Sequence, residues 1–289
     1  SIFRATDNSS YSSELITPSE VASSSSAKYD DITFLFSGGF GMSGYTNSEL
    51  WANAQATASR IINYIPGRVG DNPENSVNVI YEINATDPLF GYSWQRWKDA
   101  VSLGADFYDG DGDGIYNPVD KNWNGTWDTN EDMPDLLGDV TAWCVYNDGV
   151  PVNMRERFVG IGPQGIEIEQ TLFASSKPEL ENIIFIRYKL TNKGTVANVL
   201  DSVFFSFWAD PDLGDHLDDL VGCDTLLSSI FCYNDGADNE YGLNTPALFT
   251  TLLQGPIIET QSLSEIAYDR RGILLGVNEY YSYTNQAIS

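Results

Sequence analysis

"ENIIFIRYKLTNKGTVANVLDSVFFSFWAD" (residues 181–210) carries the clearest strand pattern in this chain. In its first half an apolar set alternates with a mixed set: Ile184, Ile186, Tyr188 and Leu190 against Phe185, Arg187 and Lys189. A period of two residues predicts a strand with one apolar and one mixed face. "NKGT" (192–195) marks a turn, and the apolar run "DSVFFSFWAD" (201–210) predicts a further strand after it.

Similar apolar runs occur on both sides of this stretch and predict more strands. They are "ITFLF" (32–36), "VNVIYEI" (77–83), "TAWCVYNDG" (141–149), "GIEIEQTLFAS" (165–175), "ALFTTLLQG" (247–255) and "GILLGV" (272–277). "SWQRWKDAVSLGA" (93–105) differs, because Trp94, Trp97 and Val101 at spacings of three and four predict an amphipathic helix. We therefore predict an all-β fold, a β-sandwich of Ig-like or jelly-roll-like type, with one or two short helices and one long loop insertion.

The glycine-rich segment "SGGFGMSGY" (37–45) has the GxGxxG spacing of a dinucleotide-binding loop. The rest of the chain lacks the alternation of strands and helices that a doubly wound sheet needs, so a glycine-rich turn is the preferred interpretation. The next segment, "NSELWANAQATASRIINYI" (47–65), is open between a helix and a strand, since "ELWANAQAT" (49–57) alternates small and larger residues.

The composition favours a β-rich, strongly acidic protein. The chain has 289 residues, 42% of them hydrophobic and 13% aromatic, with 15 basic against 41 acidic residues and a net charge of −26. Such a field repels nucleic acid and anionic membranes, and divalent cations are expected to offset it. No apolar run approaches the roughly 18 residues of a transmembrane helix. The start at Ser1 and the end at "NQAIS" are consistent with a processed or excised piece of a longer protein.

Two regions follow from the distribution of polar residues. Residues 1–30 are Ser-rich and predict an extended arm or linker. Residues 31–289 are predicted to form one or more β-sandwich domains that include an acidic segment, residues 106–139. That segment holds 10 acidic residues and one basic residue, Lys121. Without cations, its folding would force like charges together.

Two overlapping loops in the acidic segment have the spacing of calcium ligands. A 12-residue calcium loop supplies oxygens from positions 1, 3, 5, 7, 9 and 12, with Gly at position 6. The first loop has Gly114 at position 6 and, as ligands, Asp109, Asp111, Asp113, the Ile115 carbonyl, Asn117 and Asp120. The second has Gly125 at position 6 and, as ligands, Asp120, Asn122, Asn124, the Thr126 carbonyl, Asp128 and Glu131. The second loop satisfies the full D-x-N-x-N-G-x5-E pattern, whereas the first has Asp at position 12. We predict calcium binding; a solvated acidic loop is the alternative.

The second loop contains two tryptophans. Trp123 and Trp127 are expected to fold over the loops as a local core, and a sugar-stacking platform is the alternative. A second acidic cluster, "ADPDLGDHLDDLVGCD" (209–224), lacks the loop spacing. A second calcium site and a solvated rim loop are equally open for its residues, which are Asp210, Asp212, Asp215, Asp218, Asp219 and Asp224.

The remaining chemistry-bearing residues point to no reaction. His216 is the only histidine, and a zinc protease or a structural zinc site usually needs more than one. Among 41 acidic residues no pair is singled out for glycoside hydrolysis. Cys223 and Cys232 would close a short disulfide that leaves Cys144 unpaired, or all three are buried thiols.

With these residues laid out, the chain resembles the large secreted and cell-surface proteins that bacteria export through the type IX system. The resemblance covers roughly residues 90–235 and rests on "GADFYDGDGDGIYNPVDKNWNGTWDTNEDMPDLLGDVTAWCVYNDG" (104–149) and "IIFIRYKLTNKG…FFSFWADPDLGDHLDDLVGCDT" (183–225). The acidic loops also resemble the calcium repeats of thrombospondin type 3 and dockerin modules. The resemblance implies an extracellular or cell-surface location, β-sandwich modules, and candidate O-glycosylation of Ser202 and Thr225.

These observations favour a calcium-stabilised extracellular protein that is structural or adhesive, such as a subunit of a self-assembling filament or surface layer. Its partners would be copies of itself or another cell-surface protein, and the arm at residues 1–30 would pair with a neighbouring sheet edge. The alternative is a carbohydrate-binding or accessory module of a larger secreted hydrolase, with a glycan as partner. An intrinsic enzyme is the third interpretation, since no catalytic constellation is recognised.

Overall fold

The structure, a computed structural model, describes residues 27–56, 61–155, 160–259, 266–267, 270–274, 276–277 and 279–282. It contains two compact units, which are described separately. One comprises residues 38–208, and the other comprises residues 27–37 together with the chain from residue 209 onward. Of the arm predicted at residues 1–30, residues 1–26 lie outside the described residues.

The described residues are mainly β-strands, so the predicted all-β fold is confirmed. The strands are β1 (Ala27–Tyr29), β2 (Ile32–Thr46), β3 (Glu49–Asn53), β4 (Gln55–Ala56), β5 (Ile61–Ile62), β6 (Ile65–Pro66), β7 (Tyr81–Asn84), β8 (Phe107–Tyr108), β9 (Met133–Pro134), β10 (Val140–Asn147), β11 (Ile166–Ala174), β12 (Ile184–Asn192), β13 (Asp201–Pro211), β14 (Asp219–Asp224), β15 (Ser229–Asn234), β16 (Leu248–Thr251), β17 (Ile257–Glu259), β18 (Ile266–Ala267) and β19 (Arg270–Leu274). The described helices are α1 (Tyr92–Leu103) and a 3₁₀ turn at Val152–Met154. Neither has the length and apolar character needed to cross a membrane.

A five-stranded antiparallel sheet is the centre of the unit formed by residues 38–208. Its order is β12-β11-β10, and β6 and β7 both pair with the far side of β10. Strand β10 lies inside the sheet, between β11 on one side and β6 and β7 on the other, and both of its faces are covered. Trp143 and Val145 contribute to one apolar core, whereas Cys144 and Tyr146 contribute to another. The alternation of one strand therefore divides its apolar side chains between two cores.

Helix α1 covers one face of this sheet, as predicted for residues 93–105. Its side chains Trp97, Ala100 and Leu103 pack in one core with Trp143 and Val145. The helix ends at Gly104, whose backbone has φ +117° and donates its N–H to the carbonyls of Ala100 and Val101. This left-handed glycine cap stops the helix just before the acidic segment begins.

A second sheet, formed by β3, β2 and β13, covers the opposite face and completes the sandwich. Phe40 of β2 stacks on Tyr188 of β12 with 4.6 Å between ring centroids. Met42 and Trp51 belong to the same core, together with Ile168 of β11. Each such fully buried large side chain stabilises the fold by about 1.5–3 kcal/mol.

The prediction of a glycine-rich turn at residues 37–45 is wrong, because this segment lies inside β2. The glycines serve packing instead. A Cβ on Gly41 would lie 2.5 Å from Ser206 Oγ, and one on Gly44 would lie 2.9 Å from Trp51 Cζ2. The following segment, open between a helix and a strand, contains β3, β4 and β5.

In the other unit, β14, β15 and β16 form an antiparallel sheet, and β17, β19 and β18 form another. Both predictions for the cysteines are wrong. Cys223 and Cys232 form no disulfide, and the three thiols are not all buried, because Cys223 is exposed. The register pairs Cys223 with Ile230 and Cys232 with Val221. The two cysteines are therefore diagonal neighbours, for which a Cα separation of roughly 7–8 Å is typical. A disulfide usually needs less than about 7 Å.

Candidate metal centre

The acidic segment is closed at its base by a short strand pair. Phe107 of β8 pairs with Pro134 of β9, and Tyr108 pairs with Met133. The Phe107 ring lies 5.2 Å from the ring of Tyr116, a buried residue whose hydroxyl donates to the carbonyl of Trp94. Residues 109–132 are thus an excursion that starts and ends against the core of helix α1.

Both loops begin in the same way. Asp109 Oδ2 accepts the N–H of Gly114 at 2.9 Å, and Asp120 Oδ2 accepts the N–H of Gly125 at 2.7 Å. The two glycines have φ of +75° and +76°. This left-handed conformation is readily adopted by glycine, which explains its place at position 6 of each loop.

The likeness of the loops continues along their ligand positions. In both, the side chain at position 3 accepts the N–H of position 5, and position 5 accepts the N–H of position 7. In the first loop, the N–H of Asp113 donates to Asp111 Oδ1 at 3.2 Å, and the N–H of Ile115 donates to Asp113 Oδ1 at 2.7 Å. In the second loop, the N–H of Asn124 donates to Asn122 Oδ1 at 3.0 Å, and the N–H of Thr126 donates to Asn124 Oδ1 at 2.8 Å. The tandem loops are thus one backbone motif used twice, with the side chains at positions 1, 3 and 5 held by the backbone.

The structure brings together a ligand set that differs from the predicted one. Within the described residues, Asp109, Asp111 and Asp132 form a group of carboxylates whose oxygens lie within 4.8 Å of one another. Asp113 and Asp120, predicted for the same loop, do not belong to it. Asp132 lies one residue beyond the second loop, so loop spacing did not reveal it. Because β8 and β9 pair Tyr108 with Met133, their next residues, Asp109 and Asp132, face each other.

The sequence also did not show how far the end of the second loop is buried. Glu131 and Asp132 are 0% and 2% exposed. Asp132 accepts the N–H groups of Gly110 at 3.1 Å and Asn117 at 2.7 Å. Glu131 accepts the N–H of Lys121 at 2.6 Å and that of Asp128 at 3.0 Å. Asp132 therefore ties the first loop to the end of the second, whereas Glu131 ties the start of the second loop to its end.

In the second loop, amide and carboxylate side chains converge on one point. The amide nitrogens of Asn122 and Asn124 both contact Asp128 Oδ2, at 2.7 and 3.0 Å. The oxygens of the same two amides accept the N–H groups of Asn124 and Thr126, so the loop offers amide oxygens together with the Asp128 carboxylate. Such oxygen donors are the ones that calcium prefers, so the residues present fit the ion.

Basic residues offset little of the charge in the segment. Lys121 Nζ lies 2.6 Å from Asp111 Oδ2; this hydrogen bond lowers the pKa of Asp111 and raises the pKa of Lys121. At the ends of the segment Arg187 pairs with Asp135 at 2.8 Å and with Asp106 at 3.8 Å. Among the described ion pairs, these are the ones that the segment makes. Its other loop carboxylates lack a cationic partner in the described part of the chain.

The two tryptophans of the second loop differ in their surroundings. Trp127 donates its Nε1–H to the Glu131 carbonyl at 3.0 Å and meets the Tyr108 ring edge-on at 5.4 Å. It is half-buried and packs on the base of the loops, in line with the expectation for this residue. Trp123 is 90% exposed, so the expectation that it folds over the loops is wrong. Its φ is +62°, a conformation that Gly112 adopts at the same position of the first loop.

Some carboxylates of the second acidic cluster, residues 209–224, accept hydrogen bonds within turns. Asp215 accepts from Asn239 at 2.6 Å, and its N–H donates to Asp238 at 2.7 Å. Asp238, which the sequence did not single out, is buried and also accepts the N–H of Tyr241. These backbone donors, that of Asp215 first, lower the pKa of Asp238. Two further predicted positions, Ser202 and Thr225, are exposed.

Comparisons of the chain with protein-family models, with curated proteins and with solved structures found no match. The likeness to exported type IX proteins and to calcium repeats therefore rests on the quoted motifs. The geometry of residues 109–132 carries the functional argument.

Proposed function

We propose that this chain is a calcium-stabilised structural or adhesive protein of the cell surface or extracellular space, and that it forms subunits of a filament or surface layer. The tandem loop geometry of residues 109–131 is the observation that carries the proposal. Two loops with the same backbone hydrogen bonds hold carboxylate and amide oxygens close together, in a segment with few basic partners. A hard cation with six to eight oxygen ligands, calcium, is the ion that such a donor set suits.

Each loop would hold its own ion. Around the first, the described group of Asp109, Asp111 and Asp132 would supply carboxylates. Around the second, the ligands would be the predicted set: Asp120, Asn122, Asn124, the Thr126 carbonyl, Asp128 and Glu131. Calcium would supply the positive charge that the ion pairs of the segment do not.

Ion binding would rigidify the unit because the loops are tied to its core. Strands β8 and β9 connect directly to the loops, and Phe107 packs against the core of α1. Calcium that orders residues 109–132 would therefore stabilise the packing of the helix on the five-stranded sheet. Extracellular calcium modules typically bind the ion with dissociation constants of roughly 10⁻⁴–10⁻³ M. That range suits the proposed location.

Assembly would use sheet edges. Within the described residues, strand β12 pairs with β11 only, so its other side presents a nine-residue edge. Exposed edges of this length are templates for an added strand. The last residues of the arm predicted at residues 1–30 form β1, which pairs with β2 of the same chain. We therefore propose that one copy donates the part of the arm that precedes β1, residues 1–26, to the next.

Calcium titration of the chelator-treated protein tests the proposal. We expect the thermal midpoint to rise with calcium and the scattered light to increase, because ordered loops stabilise the folded subunit that assembles. Magnesium at equal ionic strength is the control, since its smaller octahedral shell fits these loops poorly. A chain lacking residues 1–26 should keep the calcium-dependent midpoint and lose the increase in scattering. If calcium does not change the thermal midpoint, the proposed metal site is contradicted. If the chain lacking residues 1–26 still shows the calcium-dependent increase in scattered light, only strand donation is contradicted.

A specific observation also supports the second candidate, a carbohydrate-binding module. Trp123 exposes 90% of its surface at the tip of a loop and adopts a backbone conformation that is unfavourable for a side chain of its size. Residues retained in such conformations tend to lie at ligand-binding sites. An exposed indole is a flat apolar surface on which a sugar ring would stack.

Replacement of Trp123 by Gly separates this function from stability. The variant should be as stable as the parent chain or more stable by about 0.5–1 kcal/mol, because glycine adopts φ +62° without steric strain. Denaturant unfolding in saturating calcium measures this difference. If the indole binds glycan, the same variant loses binding on a glycan array, whereas Trp123→Phe keeps part of it. A Trp123→Gly variant that still binds every glycan bound by the parent chain would eliminate this contact.

A further inference from the structure

The second loop contains the only Asn-Gly pair of the sequence, Asn124–Gly125. In such a pair the backbone nitrogen of the glycine can attack the side-chain amide of the asparagine, because glycine has no side chain that obstructs the approach. Asn124, Gly125 and Thr126 are all exposed, so water reaches the reacting atoms. Among the other asparagines, Asn72 and Asn117 precede proline, which has no N–H, and the rest precede residues that carry a side chain.

The atoms that take part in this reaction have hydrogen-bond partners of the required kind. The N–H of Gly125, the attacking group, donates to Asp120 Oδ2 at 2.7 Å. Asn124 Oδ1, on which negative charge develops, accepts the N–H and the hydroxyl of Thr126, both at 2.8 Å. Asn124 Nδ2, the leaving nitrogen, donates to Asp128 Oδ2 at 3.0 Å. Donors at the developing oxyanion and an acceptor for the proton of the attacking nitrogen lower the barrier of such an acyl transfer.

We propose that Asn124 is a site of spontaneous deamidation in the calcium-free chain, and that calcium in the second loop suppresses the reaction. The Gly125 nitrogen forms a bond to Asn124 Cγ and gives its proton, through Asp120, to the side-chain nitrogen. The bond between Cγ and that nitrogen breaks, ammonia leaves, and a cyclic imide remains. Water then opens the imide. Attack at Cγ yields aspartate, whereas attack at the backbone carbonyl carbon yields isoaspartate, in which the chain continues through the side chain.

The suppression rests on the proposed function, because calcium would take the oxygens of the same residues as ligands. Asp120, Asn124 and Asp128 belong to the predicted ligand set, so a bound ion would occupy the proton acceptor and fix the amide. The two products differ in their effect on the loop. Aspartate at position 5 is the residue that the first loop has there, Asp113, and it keeps an oxygen ligand. Isoaspartate adds a carbon to the backbone and disrupts the loop, so a chain kept without calcium loses this site irreversibly.

Incubation of the full chain at pH 7.5, in chelator and in calcium, tests the site by mass spectrometry of its peptides. In chelator we expect Asn124 to convert to aspartate and isoaspartate, while Asn122, followed by the bulky Trp123, keeps its amide. At a free calcium concentration about ten times the dissociation constant, the rate should fall about tenfold, in proportion to the calcium-free fraction. Thr126→Val should slow the conversion in chelator severalfold, because it removes one donor to Asn124 Oδ1 and leaves the backbone donor in place.

The results that would overturn the proposal are distinct from those that concern the proposed function. If Asn124 keeps its amide in chelator while the urea-unfolded chain loses it, the site is overturned. A Thr126→Val variant that converts as fast as the parent chain would overturn the assistance by the hydroxyl. Equal rates in chelator and in calcium would overturn the suppression if calcium raises the thermal midpoint of the same sample. If calcium changes neither the rate nor the midpoint, the proposed metal site fails, and conversion in chelator still supports Asn124 as a modification site.

Discussion

Replacement of Asp148 by Ala is expected to lower the free energy of unfolding by about 3–5 kcal/mol, the usual result of removing one side of a buried charge network. Asp148 is 0% exposed, and its carboxylate accepts four hydrogen bonds. Its Oδ1 accepts the N–H groups of Gly165 and Ile166, both at 2.9 Å. Its Oδ2 accepts from the Asn53 amide at 2.9 Å and from the N–H of Gln164 at 2.5 Å. These bonds join the ends of β3, β10 and β11.

The charge of Asp148 also balances a buried guanidinium. Arg155 is 4% exposed and donates to the carbonyls of Val150 and Asp148 and to Asn53 Oδ1. Burial lowers the pKa of Arg155, and the charge of Asp148 opposes that shift. Without the carboxylate, Arg155 would remain buried and uncompensated.

Denaturant unfolding of the Asp148→Ala variant measures the loss. Asp139→Ala is a suitable control because Asp139 also accepts from a backbone N–H, that of Ser176, but lies near the surface. Its removal should cost about 1 kcal/mol, the usual contribution of such a hydrogen bond. Equal losses in the two variants would show that the network around Asp148 is not a special source of stability.

Replacement of Gly110 by Ala is expected to destabilise the loop segment by about 3 kcal/mol, the upper end of typical overpacking effects. A Cβ at this position would lie 2.3 Å from the Glu131 carbonyl oxygen and 2.5 Å from its nitrogen. These are backbone atoms, which cannot rotate away. The start of the first loop would have to separate from the end of the second, and Gly110 would lose its hydrogen bond to Asp132.

Calcium binding and stability should fall together in the Gly110→Ala variant. We expect calcium affinity at least tenfold lower, since Asp109 and Asp132 would move apart, and a lower thermal midpoint by calorimetry in calcium. Gly112→Ala is the control, because a Cβ there meets nothing within 4 Å. That change should cost only about 1 kcal/mol, for its φ of +75°. A Gly110→Ala variant that binds calcium like the parent chain would show that the contact between the loops is unimportant.

Local periodicity predicted several elements correctly. The spacing of Trp94 and Trp97 predicted a helix over 93–105, and α1 spans Tyr92–Leu103. The alternation in residues 184–190 predicted β12, whose Tyr188 and Leu190 pack on one core while Arg187 on the other face pairs with Asp135. Both predictions are confirmed because the side chains on one face of a helix or strand recur in the sequence with a fixed period.

Other features depended on residues distant in sequence. The glycines of residues 37–45 look like a turn in isolation, yet Ser206 and Trp51 require their small size within a strand. The cysteine pair looked short enough to bridge, but the register of β14 and β15 places Cys223 and Cys232 diagonally. The sequence could not show the close packing around these glycines or the separation of the two cysteines, since both depend on which strand pairs with which.

By itself, the sequence determined the all-β class, the helix and the positions of the turn glycines in residues 109–131, because these follow from short-range periodicity and from the φ angles that glycine permits. Only the tertiary structure decided which carboxylates meet. Asp132 faces Asp109 through the pairing of β8 with β9. Charge clusters are readable in a sequence, but the distance between two charges is set by strand register, which is a property of the folded chain.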